Sequence, residues 1–205
     1  MNLQRLGRRD VLAGAGAVLA QPSALSAQVA KPQVVVQTGK GVIVLELEQS
    51  KAPITVANFL RYVDKGRYNG ASFYRAARAP AAYLTGLIEG GLQGDPAKLF
   101  KPIAHESTLT TGLAHQDGTI SMARDTPGTA TADFFICSGP APYLDANPKA
   151  AGDNAGYAAF GAVVEGMDVV RAILALPTTG VALNPAMQGQ ILDPPVPIVS
   201  MKRRT

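Results

Sequence analysis

Few side chains in this sequence are suited to covalent or metal chemistry. The chain has 205 residues with two histidines, His105 and His115, and one cysteine, Cys137. A metal site needs three or four ligands, and the sequence places no convincing set of acids near the histidines. The Gly-x-Ser-x-Gly motif of serine hydrolases is missing as well. We therefore expect both histidines to be solvated loop residues, and we predict no metal and no other cofactor.

Arg75 is the first residue to consider as a functional hydrogen-bond donor. It follows Phe73-Tyr74 at the end of a short apolar run. A guanidinium stays charged and presents a planar set of directed N–H donors. Taken alone, Arg75 would be interpreted as one half of a surface salt bridge. Cys137 follows Phe134-Phe135-Ile136 and is interpreted as a buried, inert thiol at the end of a strand.

Composition predicts one β-rich globular domain. Hydrophobic residues make up 47% of the chain and charged residues 17%, and Gly (21) and Pro (15) are frequent. A chain of this length forms one sizeable core, and frequent turn residues favour many short strands. The net charge is +4. Because no strip of aromatic and basic residues accompanies this charge, we expect no nucleic-acid partner.

Apolar periodicity predicts the positions of the helices and strands. Residues 34–38 and 42–47 are β-branched runs around a glycine-containing turn, which is typical of a hairpin. Residues 53–63 and 166–176 show helical spacing, the first with a proline in its opening turn. Residues 178–197 are interpreted as mainly loop. Further strands are predicted at 72–75, 83–89, 119–122, 134–137, 157–164 and, as a closing strand, 196–201.

A series of short segments, in order along the chain, resembles the cyclophilins. They are TGKGVIVLEL (38–47), APITVANFL (52–60), YNGASFYR (68–75), IEGG (88–91), GTISMA (118–123), DFFIC (133–137), YLD (143–145) and FGAVVEGMDVV (160–170). The resemblance runs from residue 34 to residue 176. It implies a mainly β fold, a closed eight-stranded antiparallel barrel capped by two α-helices, with a substrate groove on its outer face. Residues 28–205 would form this single domain.

The resemblance also implies an activity, peptidyl-prolyl cis-trans isomerisation. Rotation about the Xaa-Pro bond is opposed by amide resonance, with a barrier of about 18–20 kcal/mol. Lowering that barrier needs no nucleophile, metal or cofactor. It needs an apolar pocket for the proline ring and a donor aimed at the prolyl nitrogen of the twisted state. Arg75 matches the family's catalytic arginine and would be that donor.

Nine further residues match the family's substrate groove. Phe135 would lie under the proline ring, with Leu87 and Leu144 as neighbouring apolar wall. The backbone of Ala123 and Arg124 would pair with an extended peptide. Tyr143 stands where many relatives have tryptophan, and Tyr157 where many have histidine. Glu89 and Asp133 stand where relatives have glutamines.

The two acids are the main departure from the family pattern. A carboxylate at Glu89 would hold Arg75 more strongly than glutamine and neutralise part of its field. Our hypothesis is that Glu89 orients Arg75 but reduces turnover, and that an acidic groove favours substrates with basic residues near proline. The alternative is that one or both acids point to solvent.

Other departures concern the loops around the groove. Residues 76–86 form a longer stretch than in compact relatives and lack the usual second pocket aromatic, a space that Tyr83 could fill. Arg124 replaces a common asparagine, and residues 145–156 form an enlarged loop at the groove mouth.

The first 27 residues have the order of a secretory signal. A basic start with Arg8-Arg9 precedes a short apolar stretch, residues 11–20, and small residues up to Ala27. The arginine pair followed by Asp10-Val11-Leu12 resembles a twin-arginine motif, and the apolar stretch is too short for a stable membrane anchor. A frayed amphipathic helix on a cytoplasmic protein is the alternative. We expect cleavage near Ala27 and a periplasmic protein.

The residues leave two main functions open. The first is an isomerase that acts on proline-containing polypeptides, as a monomer, during folding of exported proteins. The second is a weakly catalytic or non-catalytic chaperone or scaffold that grips proline-containing segments. Arg75 and Phe135 favour the enzyme, whereas Glu89 and Asp133 favour the binding protein.

Overall fold

The computed structural model describes Met1 and residues 30–79 and 84–205. The predicted signal peptide apart from Met1, that is residues 2–27, and Tyr83 lie outside the described residues. Lys31–Thr205 form one compact unit. Among the described helices, none has the length and apolar character needed to cross a bilayer.

Eight antiparallel strands close into a barrel, which confirms the predicted fold class. Around the barrel their order is β1-β2-β7-β5-β6-β4-β3-β8. The strands are β1 (Gln33–Thr38), β2 (Gly41–Leu47), β3 (Ser72–Arg78), β4 (Gly86–Gly91), β5 (Thr119–Met122), β6 (Phe134–Ser138), β7 (Ala158–Glu165) and β8 (Ile191–Arg203). Closure pairs every strand on both sides, so the sheet has no free edge.

Two main helices accompany the barrel, as predicted, and a third is one turn long. They are α1 (Pro53–Asp64), α3 (Met167–Leu174) and the short α2 (Thr108–Thr111). No side chain at the N-terminus of α1 caps the helix. Instead the carboxylate of Glu106 accepts from the backbone N–H groups of Ile54 (3.1 Å) and Thr55 (2.8 Å). A negative charge at this end also suits the helix dipole.

The main core fills the barrel and extends to the inner face of α1. Phe59 of α1 lies at its centre, with ring centroids 5.4 Å from Tyr68, 5.5 Å from Phe134 and 5.2 Å from Phe160. All four rings are fully buried. Aromatic groups of this size supply a large share of the apolar area removed from water. They also fix the barrel wall on which the candidate site lies.

The loop predicted for residues 178–197 is wrong for its second part. β8 begins at Ile191 and runs for 13 residues. It pairs with β3 through Arg75↔Ile191 and Phe73↔Val196, with an irregular register between them. Three prolines at 194, 195 and 197 suggested a loop because proline donates no ladder hydrogen bond. The irregular register allows a proline-rich segment to pass beside β3.

The β3–β4 hairpin is also longer than predicted. Ala76, Ala77 and Arg78 continue β3 and pair with Ile88, Leu87 and Gly86 of β4. Within the stretch 76–86, residues 76–78 and Gly86 therefore belong to the sheet. Arg78 Nη1 donates to the carbonyls of Leu174 (2.7 Å) and Leu176 (2.8 Å), which ties this hairpin to the end of α3.

Candidate active site

A row of paired residues crosses the barrel wall and places the main candidate side chains together. Across β5, β6, β4, β3 and β8 the partners are Ser121↔Phe135, Phe135↔Glu89, Glu89↔Arg75 and Arg75↔Ile191. Directly opposed residues of antiparallel strands project from the same face. Phe135 belongs to a small cluster apart from the main core, whereas its neighbours Phe134 and Ile136 belong to the main core. The row therefore lies on the outer face.

A β-bulge in β3 lets two consecutive residues reach Glu89. Phe73 pairs with Gly90 and Arg75 pairs with Glu89, so Tyr74 is the extra residue. A bulge re-aims side chains in this way. The Tyr74 hydroxyl donates to Glu89 Oε1 at 2.9 Å, and Arg75 Nη1 donates to Glu89 Oε2 at 2.6 Å. Burial and the Glu89 charge raise the pKa of Tyr74 far above its ordinary value, so the phenol stays a donor.

Arg75 has a second acceptor on a distant segment. Its Nε donates to Gln190 Oε1 at 2.8 Å, just before β8. The Arg75 side chain keeps 20% of its surface exposed. Within the described part of the chain, its Nη2 makes no hydrogen bond. Two fixed acceptors therefore hold the guanidinium, and its Nη2 has no acceptor among the described residues.

The alternative in which Glu89 points to solvent is wrong. Glu89 is only 6% exposed, and both of its oxygens accept hydrogen bonds. The geometric part of our hypothesis, that Glu89 orients Arg75, is thus present in the structure. The effect on turnover stays a prediction.

A small apolar cluster lies on the same face of the barrel as Arg75 and is built mainly from predicted residues. Leu87, Phe135 and Leu144 form it together with Cys137 and Ala141, and Ala123 and Tyr157 pack against it. The rings of Phe135 and Tyr157 meet edge to face, with centroids 5.4 Å apart. Burial raises the pKa of the Cys137 thiol to about 12, in keeping with the predicted inert thiol.

His115 was predicted to be solvated, and this prediction is wrong. Its ring is fully buried and stacks on Phe135 at 5.9 Å. Nδ1 lies 2.6 Å from Asp145 Oδ1, and Nε2 lies 3.0 Å from Ser121 Oγ. Burial lowers the pKa of His115 and outweighs the opposing effect of Asp145. A neutral ring that donates from Nδ1 and accepts at Nε2 satisfies both partners.

This Ser121–His115–Asp145 chain has the order of a hydrolase triad but not its accessibility. Ser121 is fully buried, so its hydroxyl cannot reach a carbonyl in solution. These hydrogen-bonded residues instead support the Phe135 ring, on which His115 stacks. His105 is half buried, with Nε2 3.0 Å from the Ala155 carbonyl, so it too differs from a solvated residue.

Asp133 has a structural role at the end of β4. Its Oδ1 accepts from the backbone N–H groups of Leu92 (2.5 Å) and Gln93 (3.0 Å). Burial raises the pKa of Asp133, although these hydrogen bonds oppose that shift. Asp133 also lines the cavity beside the Arg75–Glu89 pair, and therefore does not simply point to solvent.

Arg124 uses its side chain to hold the loop at the groove mouth. Nη1 and Nη2 donate to the carboxylate of Asp153 at 2.7 and 3.0 Å, and Nε donates to the Gly156 carbonyl at 3.0 Å. The guanidinium lies 5.0 Å from the centroid of the Tyr157 ring. Tyr143 is exposed on the one-turn 3-10 helix Pro142–Leu144.

A cavity of about 570 Å³ adjoins this site. Glu89, Ala123, Arg124 and Asp133 line it, and all four were predicted to be groove residues. The segment before β8, residues 178–190, contributes the opposite side. In the described ranges, 30–79 and 84–205, no three His, Cys, Asp or Glu side chains are grouped as metal ligands would be.

Sequence reasoning missed three supporting residues, which are Tyr74, Gln190 and His115. Gln190 lies 115 positions from Arg75, and nothing local marks it as a partner. His115 lies outside the motifs that carry the resemblance, and its burial depends on Asp145, 30 positions away.

The chain belongs to the family of cyclophilin-type peptidyl-prolyl cis-trans isomerases. The profile of the family "Cyclophilin type peptidyl-prolyl cis-trans isomerase/CLD" matches residues 33–203. The chain is similar to a peptidyl-prolyl cis-trans isomerase of Acinetobacter baylyi, with 34% identity over 84% of this chain and 86% of the relative. It is also similar to peptidyl-prolyl cis-trans isomerase A of Dickeya dadantii, with 36% identity over 72% and 74%.

A solved cyclophilin-type isomerase of Cryptosporidium parvum shares the fold. The TM-score is 0.67 at 20% identity, and the match covers 85% of this chain and 98% of that one.

Proposed function

We propose that this chain accelerates Xaa-Pro bond rotation in polypeptides through Arg75. The observation that carries the proposal is the held guanidinium of Arg75, in one row of the sheet with Phe135 and its apolar cluster. The apolar group formed by Leu87, Phe135 and Leu144 suits a proline ring. A Cryptosporidium parvum isomerase with this fold has been solved in the presence of the dipeptide Ala-Pro.

The proposed mechanism is stabilisation of the twisted amide. When the Xaa-Pro bond rotates, conjugation is lost and the prolyl nitrogen gains a basic lone pair. An N–H of Arg75, aimed at that nitrogen, interacts more strongly with the twisted state than with the planar one. Glu89 and Gln190 hold the donor in advance, so little reorganisation accompanies the reaction.

Replacement of Arg75 tests the role of the donor. We expect Arg75→Ala to lower kcat/KM for an Ala-Pro peptide by about 100-fold. Arg171→Ala is the matched control, because Arg171 makes an exposed pair with Asp117 outside the groove. Exchange NMR measures the rate, and fluorescence anisotropy measures peptide affinity.

The outcomes separate the enzyme from a protein that only binds. Turnover that is lost in Arg75→Ala while affinity persists supports catalysis by Arg75. Equal turnover in parent and variant would refute this assignment. No turnover in the parent, with affinity intact, would indicate the binding protein instead.

We also propose that the chain is exported and acts in the periplasm after removal of residues 1–27. The order of the leader supports this, with Arg8-Arg9, the short apolar stretch 11–20 and small residues up to Ala27. We expect cell fractionation and N-terminal sequencing to find a processed periplasmic protein that begins near Gln28.

A charge-preserving pair of substitutions tests the twin-arginine route. Arg8→Lys with Arg9→Lys should abolish export, whereas Arg5→Lys in the same leader should not. Export of both variants at the parent level would contradict the proposed route. The predicted monomer stays a prediction, which analytical ultracentrifugation of the purified chain tests.

A further inference from the structure

Two arginines lie against one aromatic ring on the surface beside α1. The Cζ atom of Arg61 is 3.6 Å from the centroid of the Phe100 ring, and that of Arg67 is 4.2 Å from it. The ring itself is fixed, because its centroid lies 4.6 Å from that of Tyr62 and the Phe100 N–H donates to the Tyr62 hydroxyl at 2.7 Å. Arg67 Nη1 also donates to the Lys98 carbonyl. Cation–π contacts of this kind hold both guanidinium groups in place, close to each other.

The positive charge at this surface is not balanced by neighbouring acids. Four cations from α1 and from the segments that follow α1 and β4 form it, and we call them the basic patch: Arg61, Lys65, Arg67 and Lys101. Asp64 pairs instead with Arg203 at 2.7 Å, and Asp95 pairs with Lys98 at 3.3 Å. Within residues 30–79 and 84–205, no carboxylate forms an ion pair with a member of the patch. Like charges that are held together in this way favour an anionic partner.

The basic patch begins where the cavity beside the Arg75–Glu89 pair ends. Gln93, Gly94 and Leu99 line that cavity, and Leu99 is the residue directly before Phe100. Consecutive α-carbons are about 3.8 Å apart, so one short segment forms both the rim of the cavity and the start of the patch. A polypeptide that leaves the cavity across Leu99 would therefore meet the patch.

We infer that the basic patch is a docking surface for an acidic segment of the polypeptide substrate, several residues away from the proline. A guanidinium matches the two oxygens of a carboxylate, and its contact with Phe100 orders it in advance. Nucleic acid fits less well, because Arg61, Arg67 and Tyr62 all contact the Phe100 ring that a base would stack on. The inference rests on the proposed function, because it places the proline of the substrate at Arg75.

Peptides with charged tails test the docking surface in the full-length protein. Each contains one Ala-Pro unit and a tail of Glu, Gln or Lys residues, attached on either side through glycine–serine spacers of about three, six or nine residues, which extend over roughly 10 to 30 Å. Comparison of the Glu tail with the Gln tail isolates the charge. At one or more spacer lengths we expect the Glu tail to bind about tenfold more tightly than the Gln tail, and the Lys tail to bind least tightly.

Salt and steady-state kinetics add two further readouts. The preference for the Glu tail should shrink as salt is added, because exposed charges are screened. The tail contributes to binding and not to the twisted state, so KM should be lower for the Glu tail while kcat stays equal to that for the Gln tail.

Substitutions assign the preference to the basic patch. In Arg61→Gln with Lys101→Gln, the preference for the Glu tail should approach onefold. The charge-matched control is Lys40→Gln with Arg171→Gln, two exposed residues beside α3, which should keep the parent preference. Lys101→Glu reverses one charge at an exposed side chain without removing an arginine from the Phe100 ring, so it tests the patch even if the double variant fails to fold. It should reduce the preference to about threefold or less.

Affinities measured by fluorescence anisotropy keep this test independent of turnover. If the parent isomerises no peptide but prefers the Glu tail through Arg61 and Lys101, the isomerase assignment is wrong and the docking surface stands. If the Glu and Gln tails bind equally at every spacer length, or if both patch variants keep the parent preference, the docking surface is refuted even in an active isomerase. Sedimentation with vesicles of phosphatidylglycerol and phosphatidylcholine tests a bilayer as the partner. Vesicle binding that needs the patch, without any preference for the Glu tail, would also overturn the inference.

Discussion

We expect the contact between Glu89 and Arg75 to have two opposing effects. It orients the Arg75 guanidinium, and it neutralises part of the positive charge of that group. Glu89 Oε2 lies 2.6 Å from Arg75 Nη1 in a half-buried setting. Two unit charges about 4 Å apart interact by about 4 kcal/mol at an effective dielectric constant of ~20. A glutamine could keep both hydrogen bonds, because its carbonyl can accept from Arg75 and its amide can donate to the Tyr74 oxygen. Glu89→Gln would therefore remove the charge while it preserves the geometry.

We expect Glu89→Gln to raise turnover. In the variant, Arg75 no longer interacts with a negative charge. If about one quarter of the Coulomb energy, ~1 kcal/mol, then adds to the stabilisation of the twisted prolyl nitrogen by Arg75, kcat/KM rises about fivefold. Stability should change in the opposite direction. A charge-assisted hydrogen bond is roughly twice as strong as a neutral one, so a loss of about 1 kcal/mol should lower Tm by about 2–4 °C.

Exchange NMR on an Ala-Pro peptide measures the rate, and thermal circular dichroism measures Tm. The control is Glu165→Gln, which neutralises a glutamate bonded to Arg204 on the exposed surface, at 2.5 Å. It should leave the rate unchanged. An unchanged or lower rate in folded Glu89→Gln would refute the reasoning, because the charge of Glu89 would then not limit Arg75.

Two further predictions concern stability. Burial lowers the pKa of His115 in the folded state, so the stabilising contribution of the neutral ring is present above the unfolded pKa of about 6.5 and is lost as pH falls below it. Thermal melts between pH 7.5 and 5 should show a smaller loss of Tm in His115→Gln than in the parent, and an identical loss would contradict the assignment. Glu106→Ala should lower the free energy of unfolding by about 1 kcal/mol, because it removes the cap of α1. Urea denaturation measures this loss, and an effect no larger than that of Glu165→Ala would count against the cap.

Much of the barrel could be predicted because its elements have strong local signals. The glycine turn between β1 and β2 and the proline that opens α1 are examples. β8 was only partly predicted, because three prolines conceal a strand whose register is set by the bulge around Tyr74 in β3. That bulge is a property of two paired strands, and neither strand shows it alone.

The residues of the candidate site also divide into those that the sequence predicts and those that it does not. Arg75 and Phe135 could be proposed from short motifs that carry the family resemblance. Gln190, His115 and Leu183 could not, because each gains its setting from residues distant in the chain. The Arg75–Gln190 contact spans 115 positions, and the buried state of His115 depends on Asp145. The Arg75–Gln190 contact follows from closure of the barrel, which brings β3 beside β8.

The row of site residues and the segment 178–190 are held in different ways. Arg75, Glu89 and Phe135 lie in one row of the sheet, where pairing with neighbouring strands keeps the donor and the Phe135 ring at fixed positions. Val181, Leu183 and Met187 lie on a segment outside the sheet, joined to the row through Gln190. Because a minimal Ala-Pro peptide has no long side chain that could contact the exposed Leu183, Leu183→Ser should leave its rate unchanged. The same substitution should alter the rate for longer side chains. If both rates fell together, the segment would act by holding Arg75 rather than by contacting substrate.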